Sequence, residues 1–333
     1  MKRILSHIIL SVCLISSINI FAQDVLFTQF YSTPMVLSPS FAGTSIENRL
    51  ASNYRNQWTG ISKAFVTYNF SYDRYVPEFN SGIGIMFTHD RAGDGALRAT
   101  NVAMQYAYEA RLWGKTFFRP GLQFTWSNRN INFNDLVFSD QLVRGGAATS
   151  LEQEILEPIN YFDFGTGGLI FNQSYWIGAA VHHLNQPRES LFTEFGSIPR
   201  RYSVHAGWRH RFKGNVFKKS DNAFVMAAHY QSQANFDQLD IGAYLETAPI
   251  TFGIWYRGLP MKKNNINPNN DAVAAIIGYY AGPYKIGYSY DITISSLGIG
   301  NSAGTHEISL VYEWANKRNI KLAKRRIMPC AKF

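Results

Sequence analysis

The chain has 333 residues, with 32 Lys and Arg against 23 Asp and Glu, for a formal charge of +9. Its two cysteines, Cys13 and Cys330, exclude a disulfide-stapled scaffold. Aromatic residues make up 15%, mostly Tyr and Phe. Past the first two dozen residues no apolar run approaches the length of a helical membrane span, which excludes a helical-bundle membrane protein.

The chain opens on a basic pair, Lys2 and Arg3, then a mostly apolar stretch from Ile4 to Phe21, then the small residue Ala22. That order is a secretory signal peptide with cleavage expected between Ala22 and Gln23. Cys13 raises a lipoprotein reading, but Val12 stands where a small residue is usual. Removing residues 1–22 leaves 311 residues and lowers the formal charge from +9 to +7. Cys330 is then the one cysteine, so no intramolecular disulfide forms. An exported, aromatic-rich chain without helical spans is either soluble or a barrel, and export excludes nucleic acid as a partner.

The expectation is an all-β fold: a transmembrane antiparallel β-barrel of about 14 strands. Residues 23–47 precede it and carry Pro34, Pro39 and Gly43 among aromatics, so a regular strand is not expected there. This is read as an N-terminal plug-like segment, in or beneath the lumen, with Phe27, Phe30, Tyr31 and Phe41 as its buried rings. The barrel spans residues 48–314. Its strands in chain order are roughly 48–57, 63–73, 80–88, 98–110, 115–127, 161–171, 174–183, 201–212, 221–230, 237–246, 249–256, 270–280, 283–290 and 303–314. Most have the 9–11 residues that cross a bilayer at a tilt.

Period-two patterning carries that assignment. Tyr202, Val204, Ala206 and Trp208 share one strand face, opposite Ser203, His205, Gly207 and Arg209. His306, Ile308, Leu310, Tyr312 and Trp314 alternate with Glu307, Ser309, Val311 and Glu313. Trp and Tyr at strand ends opposite Glu, Arg and His fit lipid outside and a wet lumen inside. Connections after even-numbered strands are short, as at Asn172-Gln173, Thr247-Ala248 and Ala281-Gly282. Most long ones, 128–160, 184–200, 257–269 and 291–302, follow odd-numbered strands, while 58–62 breaks the pattern. Short periplasmic turns and longer outer loops are the barrel habit, which puts both termini in the periplasm. Residues 315–333 form a basic periplasmic tail with Lys317, Arg318, Lys321, Lys324, Arg325, Arg326 and Lys332. It is read either as solvated or as a strip for an acidic partner or anionic headgroups.

Several stretches, in order along the chain, carry a resemblance. They are Phe27-Thr-Gln-Phe-Tyr-Ser-Thr-Pro-Met-Val-Leu-Ser-Pro-Ser-Phe-Ala-Gly43, Tyr54-Arg-Asn-Gln-Trp58 and Tyr68-Asn-Phe-Ser-Tyr-Asp73. Then come Val181-His-His-Leu-Asn-Gln-Pro187, Pro199-Arg-Arg-Tyr202, Gly287-Tyr-Ser-Tyr-Asp-Ile-Thr-Ile-Ser295 and Thr305-His-Glu-Ile-Ser-Leu310. The terminal Arg325-Arg-Ile-Met-Pro-Cys-Ala-Lys-Phe333 completes the set, with Ala331 departing from an expected proline. Together they resemble the PorP/SprF family of type IX secretion membrane proteins. The resemblance implies an outer-membrane barrel of the type IX secretion and gliding machinery. It further implies support for export or surface anchoring of an adhesin through that client's C-terminal signal domain, or contact with periplasmic ring components or lipoproteins. It implies no catalytic residue and no cofactor.

Other motifs carry weaker signals. Gly300-Asn-Ser-Ala-Gly304 matches a nucleophile-elbow pattern around Ser302, but a strand follows where the elbow needs a helix. Gly298-x-Gly300-x-x-Ala303 resembles a dinucleotide fingerprint without its βαβ unit. His182 and His183 are expected on opposite strand faces, one in the lumen and one near the interface, unsuited to sharing a metal. Asp90 and Asp94 suggest a turn with too few oxygen ligands for calcium. Glu152, Glu154 and Glu157 form an acidic patch in the longest loop. Arg200 and Arg201 end an outer loop, placed for lipopolysaccharide phosphates or an acidic patch on a surface protein. The partner-binding candidates are therefore Arg200, Arg201, Arg325, Arg326, Cys330 and Phe333. No metal is expected, and lipid of the outer membrane is the expected surround. The competing readings are a FadL-like passive transporter of hydrophobic or small solutes and, resting on Ser302 alone, an outer-membrane hydrolase.

Overall fold

The computed structural model of the chain describes residues 24–45, 47–61, 65–93, 97–131, 139–146, 158–189, 196–212, 222–264 and 267–315. The signal-peptide reading, Asp94, the glutamates of the longest loop and the tail 316–333 lie outside them. Fifteen strands form one antiparallel sheet: β1 Asn48–Gln57, β2 Phe65–Val76, β3 Ser81–Ala92, β4 Leu97–Tyr108, β5 Ala110–Trp113, β6 Thr116–Ile131, β7 Ile159–Phe171, β8 Tyr175–His182, β9 Arg201–Arg211, β10 Ala223–Gln233, β11 Phe236–Thr247, β12 Ile250–Asn264, β13 Asn267–Ala281, β14 Tyr284–Thr293 and β15 Thr305–Trp314.

The sheet closes on itself. β1 pairs with β15, Asn48 opposite Trp314 and Gln57 opposite Thr305, and the ring is completed by β4 pairing with β6. Closure removes the edges that an open sheet would leave unpaired in lipid. The short β5 is the fifteenth strand but not a fifteenth stave. Ala107 faces Gly121 and Ala110 faces Phe118, so β5 prolongs the register of β4 against β6 past a break at Glu109. Fourteen staves remain, as the periodicity predicts.

The molecule is polar within and apolar without. Outward positions such as Leu50, Phe70, Ile85, Leu122, Ile177, Val204, Ile254 and Leu310 are each about half exposed. Their sheet neighbours Asn53, Asn69, Arg119, Ser203, His205, Glu307 and Ser309 are buried. Alternation along each strand produces this division because successive Cβ atoms point to opposite faces. At the rim shared by Asn48 and Trp314, Tyr284, Tyr312, Trp314 and Tyr72 stack in sequence, with centroids 4.9, 4.9 and 6.2 Å apart. A girdle of this kind suits the headgroup level of a bilayer.

Two expectations are corrected here. The stretch 257–269 is not mainly loop: β12 and β13 run on to Asn264 and from Asn267, with register shifts after Arg257 and after Leu259. Gly258 and Pro260 mimic a loop in sequence, yet bulges absorb them within the ladder. Asp90 also belongs to a strand, β3, where its Oδ1 accepts from Thr67 Oγ1 at 2.6 Å.

We call the rim of Asn48 and Trp314 the lower rim. The connections after β6 and β8 lie at the upper rim, which also holds a two-residue turn at Ala234-Asn235. Residues 24–45 occupy the interior. A one-turn helix, Pro34–Leu37, and a 3-10 turn, Pro39–Phe41, shape this segment, with proline at the first turn of each, where a missing N–H costs nothing. The segment enters at the lower rim beside Asn48 and ends at Asp24 beside Arg201 and Gln233, strand ends of the upper rim. The two strand termini thus share one side, but Asp24 and Trp314 do not. Asp24 sits at the rim opposite Trp314 because the segment runs through the lumen.

Candidate functional site

The lumen is the place where this chain concentrates buried chemistry. Its wall comes from inward positions of the strands and its filling from residues 24–45. Phe27, Phe30, Tyr31 and Phe41 are all under 10% exposed. Phe30 meets Trp255 edge-on at 4.7 Å, and Tyr31 meets Tyr244 at 5.0 Å and Trp176 at 6.1 Å. Phe41 lies 4.9 Å from the His205 ring. Each ring removed from water stabilises by roughly 1.5–3 kcal/mol. The wall makes room for the backbone through glycine. A Cβ on Gly82 would stand 1.9 Å from the Ala42 carbonyl oxygen, and one on Gly121 2.5 Å from the Ser40 nitrogen.

Polar contacts fix the segment at every level. Midway, the Glu307 carboxylate accepts the backbone N–H of Thr28 at 2.7 Å and of Gln29 at 3.0 Å. Thr28 Oγ1 donates to Asp291 at 2.6 Å and accepts from Arg55 at 2.8 Å and Arg257 at 3.1 Å. Arg55 also pairs with Glu307 at 3.1 Å and Asp291 at 3.2 Å. Lower down, Gln105 Nε2 donates to the Met35 carbonyl at 2.8 Å and Asn53 Nδ2 to Ser32 Oγ at 2.6 Å. Arg119, fully buried, donates to the carbonyls of Ser40 and Ala42 and pairs with Glu109 at 2.7 Å. Asp73 accepts from Gly43 N and is held by Arg49, both at 2.7 Å. Buried charges persist only when paired and hydrogen-bonded, and here the segment's own backbone supplies part of the pairing.

At the upper rim the segment ends in an ionic cluster. Arg201 Nη1 lies 2.9 Å from Asp24 Oδ2, His183 Nε2 lies 2.8 Å from the same oxygen, and His183 Nδ1 lies 3.0 Å from Asp163 Oδ2. Burial opposes the His183 charge, but the carboxylates of Asp24 and Asp163 overcome it and push the pKa up to about 9. Burial likewise opposes the Asp24 charge, and Arg201 and His183 outweigh it, holding that carboxyl well below the usual range. Two cavities flank Asp24 and Val25, of about 130 and 320 Å³. The first is walled by Thr88, Gln123, Arg129, Tyr161 and Glu189 among others, the second by Gln57, Trp58, Gln238 and Asp271.

The residues singled out in sequence meet different outcomes in the structure. The four rings of the N-terminal segment come together in the lumen. Arg200 and Arg201 separate: Arg200 is exposed and donates to the Leu184 carbonyl at 3.2 Å, whereas Arg201 turns inward to Asp24. The two neighbouring guanidinium groups therefore point to different surroundings. Arg325, Arg326, Cys330 and Phe333 lie outside the described residues. His182 and His183 do not face opposite sides. His183 has a φ of 57°, which ends β8 and turns its ring inward, 6.4 Å from that of His182. Ser302 closes a one-turn helix, Gly298–Ser302, and its Oγ accepts from Gly304 N at 3.2 Å, a turn cap ahead of β15. The inward acids and arginines, Glu307, Asp291, Arg55, Asp73 and Arg119, were missed as partners of the segment. Their one signal is charge on the face that alternation places inside.

A closed sheet with an apolar exterior, an aromatic girdle and a charged interior defines an outer-membrane β-barrel. The model of the family described as type IX secretion system membrane protein PorP/SprF matches residues 19–312, nearly the whole chain. The protein belongs to that family. No curated protein matches it in sequence. Among solved structures it is similar to outer membrane protein Omp33 of Acinetobacter baumannii, at 5% identity over 82% of this chain and 100% of that one, TM-score 0.47. It is also similar to the CymD monoaromatic hydrocarbon channel, at 10% identity over 86% and 93%, TM-score 0.45. A third is the KdgM porin in complex with oligogalacturonate, at 5% identity over 80% and 99%, TM-score 0.40.

Proposed function

We propose that this barrel is a non-enzymatic part of the type IX secretion and gliding system that supports export or surface anchoring of a secreted adhesin through that client's C-terminal signal domain. The family match across residues 19–312 carries the reading. The lower rim faces the periplasm in it, because short turns gather there at 172–174, 248–249 and 282–283. The basic tail 315–333, with Arg325, Arg326, Cys330 and Phe333, then meets type IX ring components or lipoproteins. Arg200, exposed at the upper rim, is placed for an acidic group of the client.

The occupied lumen supports a scaffold over a conduit. A FadL-like passive transporter would need the segment to leave its contacts with Glu307, Asp73, Arg119 and Gln105 before a solute passed. Affinity purification of the tagged barrel from cross-linked, solubilised outer membranes of its own host tests the proposal. Recovery of a secreted protein's C-terminal domain with type IX components is the expected result. Recovery of neither, with a solute-uptake defect in the deletion strain, would transfer the assignment to transport.

A further inference from the structure

The cluster at Asp24 does something that the rest of the segment does not. Below Thr28, the segment is fastened through backbone groups, by Glu307, Gln105, Arg119 and Asp73. Above it, Val25 and Leu26 are half-buried and run between the two cavities at the upper mouth. Asp24 ends this stretch, and its carboxylate is clamped from two sides by Arg201 and His183. His183 is itself aimed by Asp163, and its left-handed backbone brings the ring inward where strand geometry alone would not. The other charged or titratable groups lining the cavity beside the cluster are Asp90, His182, Tyr161, Glu189 and Arg129, and the last two pair with each other at 2.5 Å.

We propose that Asp24, His183, Asp163 and Arg201 form an ionic latch that holds residues 24–27 as a strap across the upper mouth of the barrel. With the latch closed, the strap divides the mouth into two cavities of about 130 and 320 Å³. With it open, the strap lifts, the cavities join into one vestibule and Phe27 loses its cover. The deeper segment from Tyr31 to Gly43 stays seated, because its fastenings are separate. The latch is a carboxylate site already filled by the chain's own carboxylate, so the chemistry that would open it at neutral pH is a competing carboxylate at the same rim.

Maleimide labelling of Phe27→Cys and Tyr31→Cys, each in a Cys330→Ser background and in detergent, tests the latch without reference to membrane sidedness. Both rings are buried in the closed state. Adding Asp24→Asn is expected to speed labelling at position 27 by about tenfold or more, since removing one partner of a mostly buried pair leaves the others uncompensated. Asp24→Glu should stay near the unmodified rate, and position 31 should not change in any background. An unchanged rate at 27 in Asp24→Asn overturns the latch. So does equal acceleration at 27 and 31, which would mean that the segment loosens as one body. His183→Gln gives a second reading if Asp24→Asn does not insert. Failure of both to form a heat-modifiable barrel also overturns the proposal, because a strap that moves on its own is not needed to close the sheet.

Discussion

Replacing Glu307 with Gln isolates the central fastening of the luminal segment. The native carboxylate takes two consecutive backbone N–H groups, at 2.7 and 3.0 Å, and an Arg55 nitrogen at 3.1 Å, with no exposure to solvent. The amide keeps the shape and one oxygen but loses the charge and the second acceptor. Breaking a buried ion pair by removing one partner costs about 3–5 kcal/mol. Arg55 retains Asp291 at 3.2 Å, which places this case at the lower end, about 3 kcal/mol. At 1.4 kcal/mol per decade, local opening of Thr28 and Gln29 should become on the order of 100-fold more frequent. Hydrogen exchange read by mass spectrometry on the folded barrel in detergent measures it, comparing 28–33 with 305–314. Protection should fall in the segment and persist in β15, whose ladder with β1 and β14 is untouched. A change below about threefold in 28–33, or an equal loss in β15, would refute the reasoning that Glu307 fastens the segment independently of the sheet.

Three further outcomes follow from the same geometry. Gly82→Ala should unseat residues 40–43, because its Cβ would meet the Ala42 carbonyl at 1.9 Å and Arg119 at 2.6 Å. Overpacking of this kind costs about 1–3 kcal/mol, seen as a lower heat-modification temperature with the barrel still formed. Raising the pH should loosen the upper end of the segment. The folded pKa of His183, about 9, is raised above its ordinary value of 6.5, so its contribution is whole below 6.5 and is lost as pH climbs through 9. Phe27→Cys labelling with a thiol reagent stable in base should therefore accelerate between pH 8 and about 10 beyond a Cys model peptide, and a parallel rise would remove His183 from the account. Ser302→Ala should leave client display intact, since Ser302 only caps its turn through Gly304, and loss of display at normal barrel abundance would reopen a hydrolytic reading.

The strands were legible because lipid and lumen impose opposite demands on alternate residues. β1 runs from Asn48 to Gln57 as periodicity alone predicts, and β15 differs by two residues at its start. Where the demand relaxes, near the upper rim, sequence misleads: Gly258 and Pro260 read as loop, although the ladder continues past a bulge. The break at Glu109 was invisible for a related reason. Its carboxylate serves Arg119 at 2.7 Å, a contact that depends on where the luminal segment puts Arg119's other partners. Burial of Phe27, Phe30, Tyr31 and Phe41 was legible from composition and from prolines that bar a central strand. Their partners were not, because Thr28 and Glu307 lie 279 positions apart. His183 was misread because alternation assumes an extended backbone, and its φ of 57° is not extended. The pairing of Arg201 with Asp24 is not legible in sequence, because a loop-end arginine gives no sign that Asp24 arrives from across the lumen.

The proposed secretion role is tested by a secretome comparison between the parent strain and a deletion of this gene, with surface and medium proteins quantified by mass spectrometry and small-solute uptake followed in parallel. One or a few secreted proteins bearing a type IX C-terminal domain are expected to disappear from the cell surface, with solute uptake unchanged and display restored by the full-length barrel. An unchanged set of surface proteins, together with impaired uptake of a hydrophobic or small polar solute, would contradict that role.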